Sequence, residues 1–210
     1  MKYISTFMAA VLAVAANSAW AYAEIAPDVL ARNVTDEVLA IVRADKELQA
    51  GNPQKVMQLV ETKVLPHFNF TRMTQLAVGR NWRQATPDQQ RVLTEEFKTL
   101  LVRTYTTAFT AYREQTIDYR PLRMAPTDTD VVVKSLIRQP TGQPIAIDYS
   151  MEKLAGTWKV YDVKIEGISL VENYRNTFNN EISRSGVDGL IRALNDKNKL
   201  LAAQQAARRP

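Results

Sequence analysis

The chain of 210 residues contains no cysteine and one histidine, His67. The lack of cysteine excludes disulfide bonds, thiolate zinc sites, iron–sulfur clusters and cysteine nucleophiles. A single histidine excludes a metal site built from several imidazoles, and a Ser-His-Asp triad would have to use His67. Phosphate-binding motifs of the P-loop or G-x-G-x-x-G type are also missing. The rest of the composition, 46% hydrophobic and 23% charged, is that of a folded globular protein rather than a disordered one.

The N-terminus has the features of an export signal. Lys2 is followed by an apolar stretch over 4–16, and Ala21-Tyr22-Ala23 offers an A-x-A cleavage site. The stretch is shorter than the roughly 20 residues of a membrane-spanning helix, so a secretory signal peptide at 1–23 is expected rather than an anchor. We predict one domain over 24–201 and a disordered tail over 202–210.

Helical periodicity dominates the first half of the domain. One apolar face predicts a helix over 28–48, and Asn52-Pro53 is typical of the start of a second helix. Thr86 and Gln89 form a capping box around Pro87, which opens the longest predicted helix. The apolar stripe of that helix comprises Leu93, Phe97, Leu100, Leu101, Tyr105, Ala108, Phe109 and Tyr112.

After residue 115 the pattern changes to the alternation of β-strands. Four strands are predicted at 116–123, 130–138, 144–153 and 157–166, joined by short turns that make them antiparallel. Trp158 and Val160 break the alternation of the last strand. Ser169 and Glu172 form a second capping box, before a helix that should end near Gly186 and a final helix over 187–200.

This order of elements predicts an α+β fold, with a four-stranded antiparallel sheet covered by helices. The sheet has one apolar face that must be covered, and we expect the helix that begins after Thr86 to cover it. We find no internal repeat and no linker rich in Gly, Pro or Ser, so a single domain is favoured.

The sequence contains no specific catalytic constellation. His67 lies between Pro66 and two phenylalanines, without a sequence signal for an orienting carboxylate, so a structural or surface role is expected. Asp162 and Glu166 share one strand face and could serve acid–base chemistry, but alternation places them on the solvated side. The net charge of +5 is small and no long basic run occurs, so nucleic-acid binding is not expected.

Several blocks of the sequence resemble one known family. The segment H-F-N-F-T-R-M at 67–73 resembles the F-D-F-x-R-M signature of the MlaC family, also called toluene-tolerance auxiliary proteins. Further similar blocks follow in the family order at 79–90, 100–105, 156–163 and 166–175. Asn69 stands where the family often has Asp, which weakens any charge-based role at that position.

The resemblance implies an NTF2-like arrangement, in which an apolar pocket lies between a curved sheet and the helices. It implies a monomeric carrier in the periplasm of a Gram-negative bacterium, which supports outer-membrane lipid asymmetry without chemistry or a cofactor. Its cargo would be glycerophospholipid. Its partners would be the lipoprotein MlaA complex at the outer membrane and the MlaD ring of an ABC transporter at the inner membrane.

The candidate lipid-binding residues are apolar or aromatic positions expected to point inward from the helices and the strands. For each of them, ordinary core packing is the alternative. Two other functions also remain open: an NTF2-like enzyme with an ionisable group in its pocket, and a structural adaptor with a solid core. The candidates are Met73, Leu76, Phe97, Leu101, Tyr105, Val133, Ile147, Tyr149, Val163, Ile165 and Tyr174.

Overall fold

The computed structural model describes residues 25–105, 115–140 and 142–207. The predicted signal peptide, the 106–112 part of the longest predicted helix and Thr141 of a predicted turn lie outside the described residues. None of the described helices is both long enough and apolar enough to cross a membrane.

Helices form the first half of the described chain and its C-terminal part. Short π and 3₁₀ segments at Val60–Val64, Leu65–His67 and Gly79–Gln84 connect some of them. The α-helices are α1 (Pro27–Ala44), α2 (Lys46–Gln49), α3 (Pro53–Leu59), α4 (Phe70–Val78), α5 (Pro87–Tyr105) and α6 (Leu170–Ala207).

The helix predicted over 28–48 is divided at Asp45. This residue is extended, and its carboxylate accepts hydrogen bonds from the backbone N–H groups of Glu47 and Leu48. Such a side-chain cap starts a new helix, α2, and therefore ends α1. The predicted start of α3 is confirmed, because the Asn52 side chain accepts from the backbone of Gln54 and Lys55.

The capping box before α5 forms as predicted. Gln89 N–H donates to Thr86 Oγ1 at 3.2 Å, and Thr86 N–H donates to Gln89 Oε1 at 2.9 Å. At the start of α6, Glu172 N–H donates to Ser169 Oγ at 2.9 Å. These side chains satisfy backbone donors that the first turn of a helix leaves unpaired.

Two features of α6 lie near its predicted ends. Gly186 has φ 70°, which interrupts the helical conformation where the sequence predicts a helix end. The second part continues to Ala207 instead of ending near residue 200, so residues 202–207 are helical and not a disordered tail. Gln205 explains the extension, since its side chain exchanges hydrogen bonds with the side chain and the carbonyl of Arg103 in α5.

The sheet is antiparallel, and its strands follow one another in chain order. The strands are β1 (Thr116–Tyr119), β2 (Asp130–Arg138), β3 (Ile145–Leu154), β4 (Thr157–Ile165) and β5 (Ile168–Ser169). The α+β prediction is confirmed, with two differences. Strand β5 is an additional two-residue strand, and β1 ends at Tyr119 instead of 123. Pro121 follows closely and has no N–H to donate to a ladder, which disfavours a longer strand.

A bulge in β4 explains the broken alternation. Asp162 pairs with Ser150 and Val160 pairs with Met151, so Tyr161 is an extra residue without a partner on β3. An extra residue shifts the alternation by one position. Val160 and Val163 therefore lie on the same face of the sheet.

Helix α5 does not cover the sheet, contrary to the expectation from its apolar stripe. It packs against α4 and α6, and α1 lies against the sheet instead. Phe97 of α5 lies between Tyr174 and Phe178 of α6, with ring centroids 5.1 Å apart in both pairs. The stripe of α5 is thus used within a helical core, and the sheet face has to be covered by another element.

Asn69 joins α4 to the sheet. Its N–H donates to Val160 O at 2.8 Å, and its side-chain oxygen caps α4 by accepting from Arg72 N–H at 3.0 Å. The remaining amide group, Nδ2, donates to Glu152 Oε1 at 2.8 Å. An amide suits this position better than a carboxylate does, since only an amide offers both an acceptor and a donor.

We predict that Asn69→Asp lowers the free energy of unfolding by about 1–3 kcal/mol at neutral pH, because the bond to Glu152 becomes a carboxylate–carboxylate contact. Crowding of two acids raises a carboxyl pKa, so the loss should shrink as the pH falls towards 4 and a proton is taken up. Urea unfolding at several pH values measures this. In the double variant Asn69→Asp/Glu152→Gln the stability should return, and equal stability of the single variant and wild type would contradict the argument.

Candidate functional site

An apolar cavity of about 320 Å³ lies between α1 and one face of the sheet. This volume is near the lower end of the roughly 300–1,000 Å³ range of small-molecule pockets. Among the described residues, three parts of the chain form its wall: one side of α1, the inner face of β1–β4, and the segment that precedes α4. The lining residues are Leu30, Ala31, Val34, Thr35, Val38, Leu39, Val64, His67, Phe68, Ile117, Ile137, Ile147, Tyr149, Met151, Val160 and Val163.

Strand register builds the sheet side of the cavity. Met151 pairs with Val160, and Tyr149 pairs with Val163 on the same face. Without the bulge at Tyr161, one of the two valines would point to the other side of the sheet. The local insertion of one residue in β4 thus extends the apolar wall along the whole strand.

The two ends of the cavity differ in burial. Met151 and Val160, near the β3–β4 turn, are buried, with 1% and 6% exposure. Ile117, Ile137 and Ile147, towards the β2–β3 connection, are only half-buried. The cavity is therefore closed at the β3–β4 end and more accessible at the opposite end.

A small polar cluster links α1 to the sheet beside the cavity. The Tyr119 hydroxyl donates to Ala31 O at 3.1 Å and forms a hydrogen bond with Thr35 Oγ1 at 2.7 Å. The Arg32 guanidinium lies 4.9 Å from the centre of the Tyr119 ring. Burial raises the pKa of both Tyr119 and Tyr149, so both phenols stay neutral and place no charge in the cavity wall.

His67 is an ionisable residue in the cavity wall. Partial burial lowers the pKa of its imidazole, and the nearby Lys159 charge lowers it further, while Glu37 opposes the shift. Lys159 is held there by a 2.6 Å hydrogen bond from its Nζ to Pro66 O. The imidazole is therefore neutral at neutral pH, which suits an apolar site.

The structure divides the candidate lipid-binding residues between two regions. Ile147, Tyr149 and Val163 line the cavity. Val133 is fully buried beside them and Ile165 pairs with Ile147, but neither lines the cavity. The other candidates belong to the core between α4, α5 and α6, because α5 faces away from the sheet: Met73, Leu76, Phe97, Leu101, Tyr105 and Tyr174.

The α1 side of the cavity was missed by sequence reasoning, although its signal was present. The apolar stripe of α1 is clear, yet its residues contact two different surfaces, the cavity and helix α3. Leu30, Val34 and Val38 line the cavity, while Ile41 and Val42 pack against α3. Periodicity identifies an apolar face but does not identify the surface it meets.

The two carboxylates considered for acid–base chemistry have structural contacts. Asp162 is buried, and its Oδ1 accepts from Val171 N–H at 3.2 Å, which ties β4 to the start of α6. Glu166 lies in a turn at φ 50° and its Oε1 accepts from Ala146 N–H. Neither lines the cavity, and no group of three or more His, Asp or Glu in the described part of the chain could hold a metal ion.

The fold and the cavity define an α+β protein in which, among the described elements, a sheet and helix α1 enclose an apolar cavity. The particular family follows from comparison with known proteins. The chain belongs to the MlaC protein family, whose sequence model matches residues 32–196.

Curated relatives are similar over most of the chain. The intermembrane phospholipid transport system binding protein MlaC of Haemophilus influenzae is 24% identical over 174 residues, 81% of each chain. Toluene tolerance protein ttg2D of Pseudomonas putida is 26% identical over 163 residues, 77% of this chain and 75% of that protein.

A solved structure is also similar to this protein. It is that of a phospholipid-binding protein from Ralstonia solanacearum in complex with a phospholipid. The identity is 46% and the TM-score is 0.78, and the similarity covers 86% of this chain and 99% of that one.

We predict stability losses of different size when tryptophan replaces two of the candidate residues. Leu101→Trp should lower the free energy of unfolding by about 1–3 kcal/mol, because Leu101 lies in a packed core with 6% exposure. Ile147→Trp should cost less than about 1 kcal/mol, because the added ring has the cavity to occupy. Urea unfolding of both variants is the test, and equal losses would mean that the cavity is not open space.

We predict that His67 makes stability decrease towards acidic pH. A histidine with a lowered pKa in the folded state contributes stability above the unfolded value of about 6.5, and this is lost as the pH falls. Between about pH 7.5 and 5.5, the free energy of unfolding should therefore fall less in His67→Gln than in wild type. Identical pH profiles of variant and wild type would show that His67 titrates as an exposed group.

Proposed function

We propose that this protein is a periplasmic carrier of glycerophospholipid that holds acyl chains in the cavity between α1 and the sheet. The observation that carries the proposal is the nearly complete apolar lining of this cavity. The similarity to a protein solved with a phospholipid supports it. In this proposal Ile147, Tyr149 and Val163 contact the acyl chains from the sheet, and Leu30 and Val34 contact them from α1.

The energy of acyl-chain burial explains why a carrier needs such a cavity. Two chains hold roughly 30 methylene groups at about 0.8 kcal/mol each, so passage through water would cost about 25 kcal/mol. A soluble protein removes this barrier by offering apolar surface in place of the membrane. It need not bind with the full energy, because the membrane offers the same burial, and loading can be a nearly balanced exchange.

A diacyl lipid is large for a cavity of about 320 Å³, so loading requires the cavity to widen. The connection between α1 and the sheet suits such a change. It includes the Tyr119 hydrogen bonds to Ala31 and Thr35, and a single net hydrogen bond is worth only about 0.5–1.5 kcal/mol. We propose that α1 moves away from the sheet as the acyl chains enter.

The transport route belongs to the same proposal. The N-terminal sequence at 1–23 supports export, and family membership supports exchange with the MlaA complex at the outer membrane and with the MlaD ring at the inner membrane. We propose transfer without bond making or breaking. The placement of Asp162 and Glu166 in structural contacts, away from the cavity, supports this.

Phospholipid in the organic extract of the purified protein, measured by mass spectrometry, tests the function. We predict about one lipid per chain in wild type and a clear loss in Ile147→Trp, because the ring fills the acyl-chain site. The matched control is Val132→Trp on the opposite face of the sheet, where the side chain is 42% exposed. It should keep its lipid.

Two results would contradict the carrier. Absence of phospholipid in a folded wild-type protein would favour a structural adaptor. Turnover of a small molecule that falls at least about a hundredfold in His67→Gln would favour an enzyme, since this is the scale of a lost acid–base group.

A further inference from the structure

A second depression, of about 470 Å³, lies between α4, the 3₁₀ segment Gly79–Gln84 and α6. Among the described residues, its lining contains arginines and no acidic side chain, and it shares no residue with the apolar cavity. We call it the arginine cleft. Gln75, Leu76, Gly79 and Trp82 complete the lining around its four arginines, Arg72, Arg80, Arg83 and Arg175.

The arginines reach the cleft from three separate elements. Arg72 belongs to α4, Arg80 and Arg83 to the 3₁₀ segment, and Arg175 to α6. Arg175 is oriented by a 3.1 Å hydrogen bond from its Nε to Leu76 O near the end of α4. Arg72 lies over the Tyr161 ring, with its guanidinium carbon 5.6 Å from the ring centre. The fold therefore brings Arg175 of α6 next to three arginines that lie close to one another much earlier in the sequence.

Neutralisation of these charges within the chain is incomplete. Arg72 has an acidic neighbour, Glu152, but the Nε to Oε2 distance is 3.9 Å, and this Nε is buried without a hydrogen bond. In the described parts of the chain, Arg80, Arg83 and Arg175 form no ion pair within 4.0 Å. Like charges that line one depression repel one another, so an anion in the cleft would relieve the repulsion.

We propose that the arginine cleft binds a phosphate group. Each guanidinium offers a planar fork of donors, and one fork already saturates the two oxygens of a carboxylate. A terminal phosphate group has three strong acceptor oxygens and carries close to two charges, so it can engage arginines from several directions at once. The concave shape favours a single inserted group over a flat charged surface.

Such a terminal phosphate has two sources, a soluble phosphate monoester or the monoester headgroup of phosphatidic acid in a bilayer. The cleft lies apart from the acyl-chain cavity, so occupancy of one site does not require the other. Phosphate binding in the arginine cleft can therefore be tested independently of the carrier function.

The test begins with glycerol 3-phosphate, titrated at constant ionic strength into the mature chain and followed by calorimetry and by the Nε–Hε NMR signals of arginine. Saturable binding with shifts of the cleft arginines is expected. Arg80→Gln/Arg83→Gln should weaken it by about tenfold or more, since the variant loses charge-assisted hydrogen bonds to the phosphate. The control Arg192→Gln/Lys197→Gln removes the same charge from exposed positions of α6 and should leave binding unchanged.

Vesicle flotation then distinguishes the two sources. Binding to phosphatidic acid vesicles that glycerol 3-phosphate competes away would identify a lipid headgroup, and glycerol 3-phosphate binding without vesicle binding would identify a soluble ligand. If neither glycerol 3-phosphate nor the vesicles bind, the proposal is overturned. Equal losses of glycerol 3-phosphate affinity in Arg80→Gln/Arg83→Gln and in the control Arg192→Gln/Lys197→Gln would also overturn it. Binding of a poly-glutamate peptide in the absence of phosphate binding would also overturn it. Phospholipid content should be unchanged in the cleft variant, which separates this result from the carrier test.

Discussion

The structure depends on an apolar sheet face that the described helices cover only in part. Helix α5 has a long apolar stripe, but Phe97 and its neighbours pack against α6, so among the described helices α1 is the one that lies over the inner face of β1–β4. The result is a void of about 320 Å³. Apolar side chains that line a space they do not fill lose packing contacts, so an empty cavity of this kind is a cost to the folded state. An apolar ligand in the cavity would remove much of that cost.

The position of the cavity follows from local features of β4 and its neighbours. The extra residue Tyr161 turns both Val160 and Val163 towards α1. Asn69 bonds to Val160 O next to this bulge, and it also caps α4, so the irregular part of the strand is held by the start of a helix. Tyr161 in turn faces the other side, where its ring supports Arg72. One inserted residue therefore contributes to both the cavity wall and the arginine cleft.

Sequence reasoning succeeded where structure depends on short-range chemistry. The bounds of β2 and the capping box of Thr86 and Gln89 follow from alternation and from side chains three residues apart. The candidate site could be predicted only in part, with Ile147 and Tyr149 lining the cavity and Phe97 elsewhere. Whether α1 or α5 covers the sheet depends on how well the apolar stripe of each helix fits the sheet face. The periodicity of a stripe does not show which surface it packs against. The arginine cleft was not visible either, because it joins residues about a hundred positions apart.

The contacts between α1 and the sheet affect both the stability of the empty protein and the proposed uptake of lipid. A cover that packed as densely as α5 and α6 do would stabilise the empty protein but would leave no room for a ligand. A cover without any specific attachment would expose the cavity to water. The contacts of Tyr119 with α1 lie between these extremes, because water or another polar partner can replace a hydrogen bond at little net cost, whereas burial of each methylene group returns about 0.8 kcal/mol. In the proposed carrier, entry of an acyl chain would therefore offset the separation of α1 from the sheet.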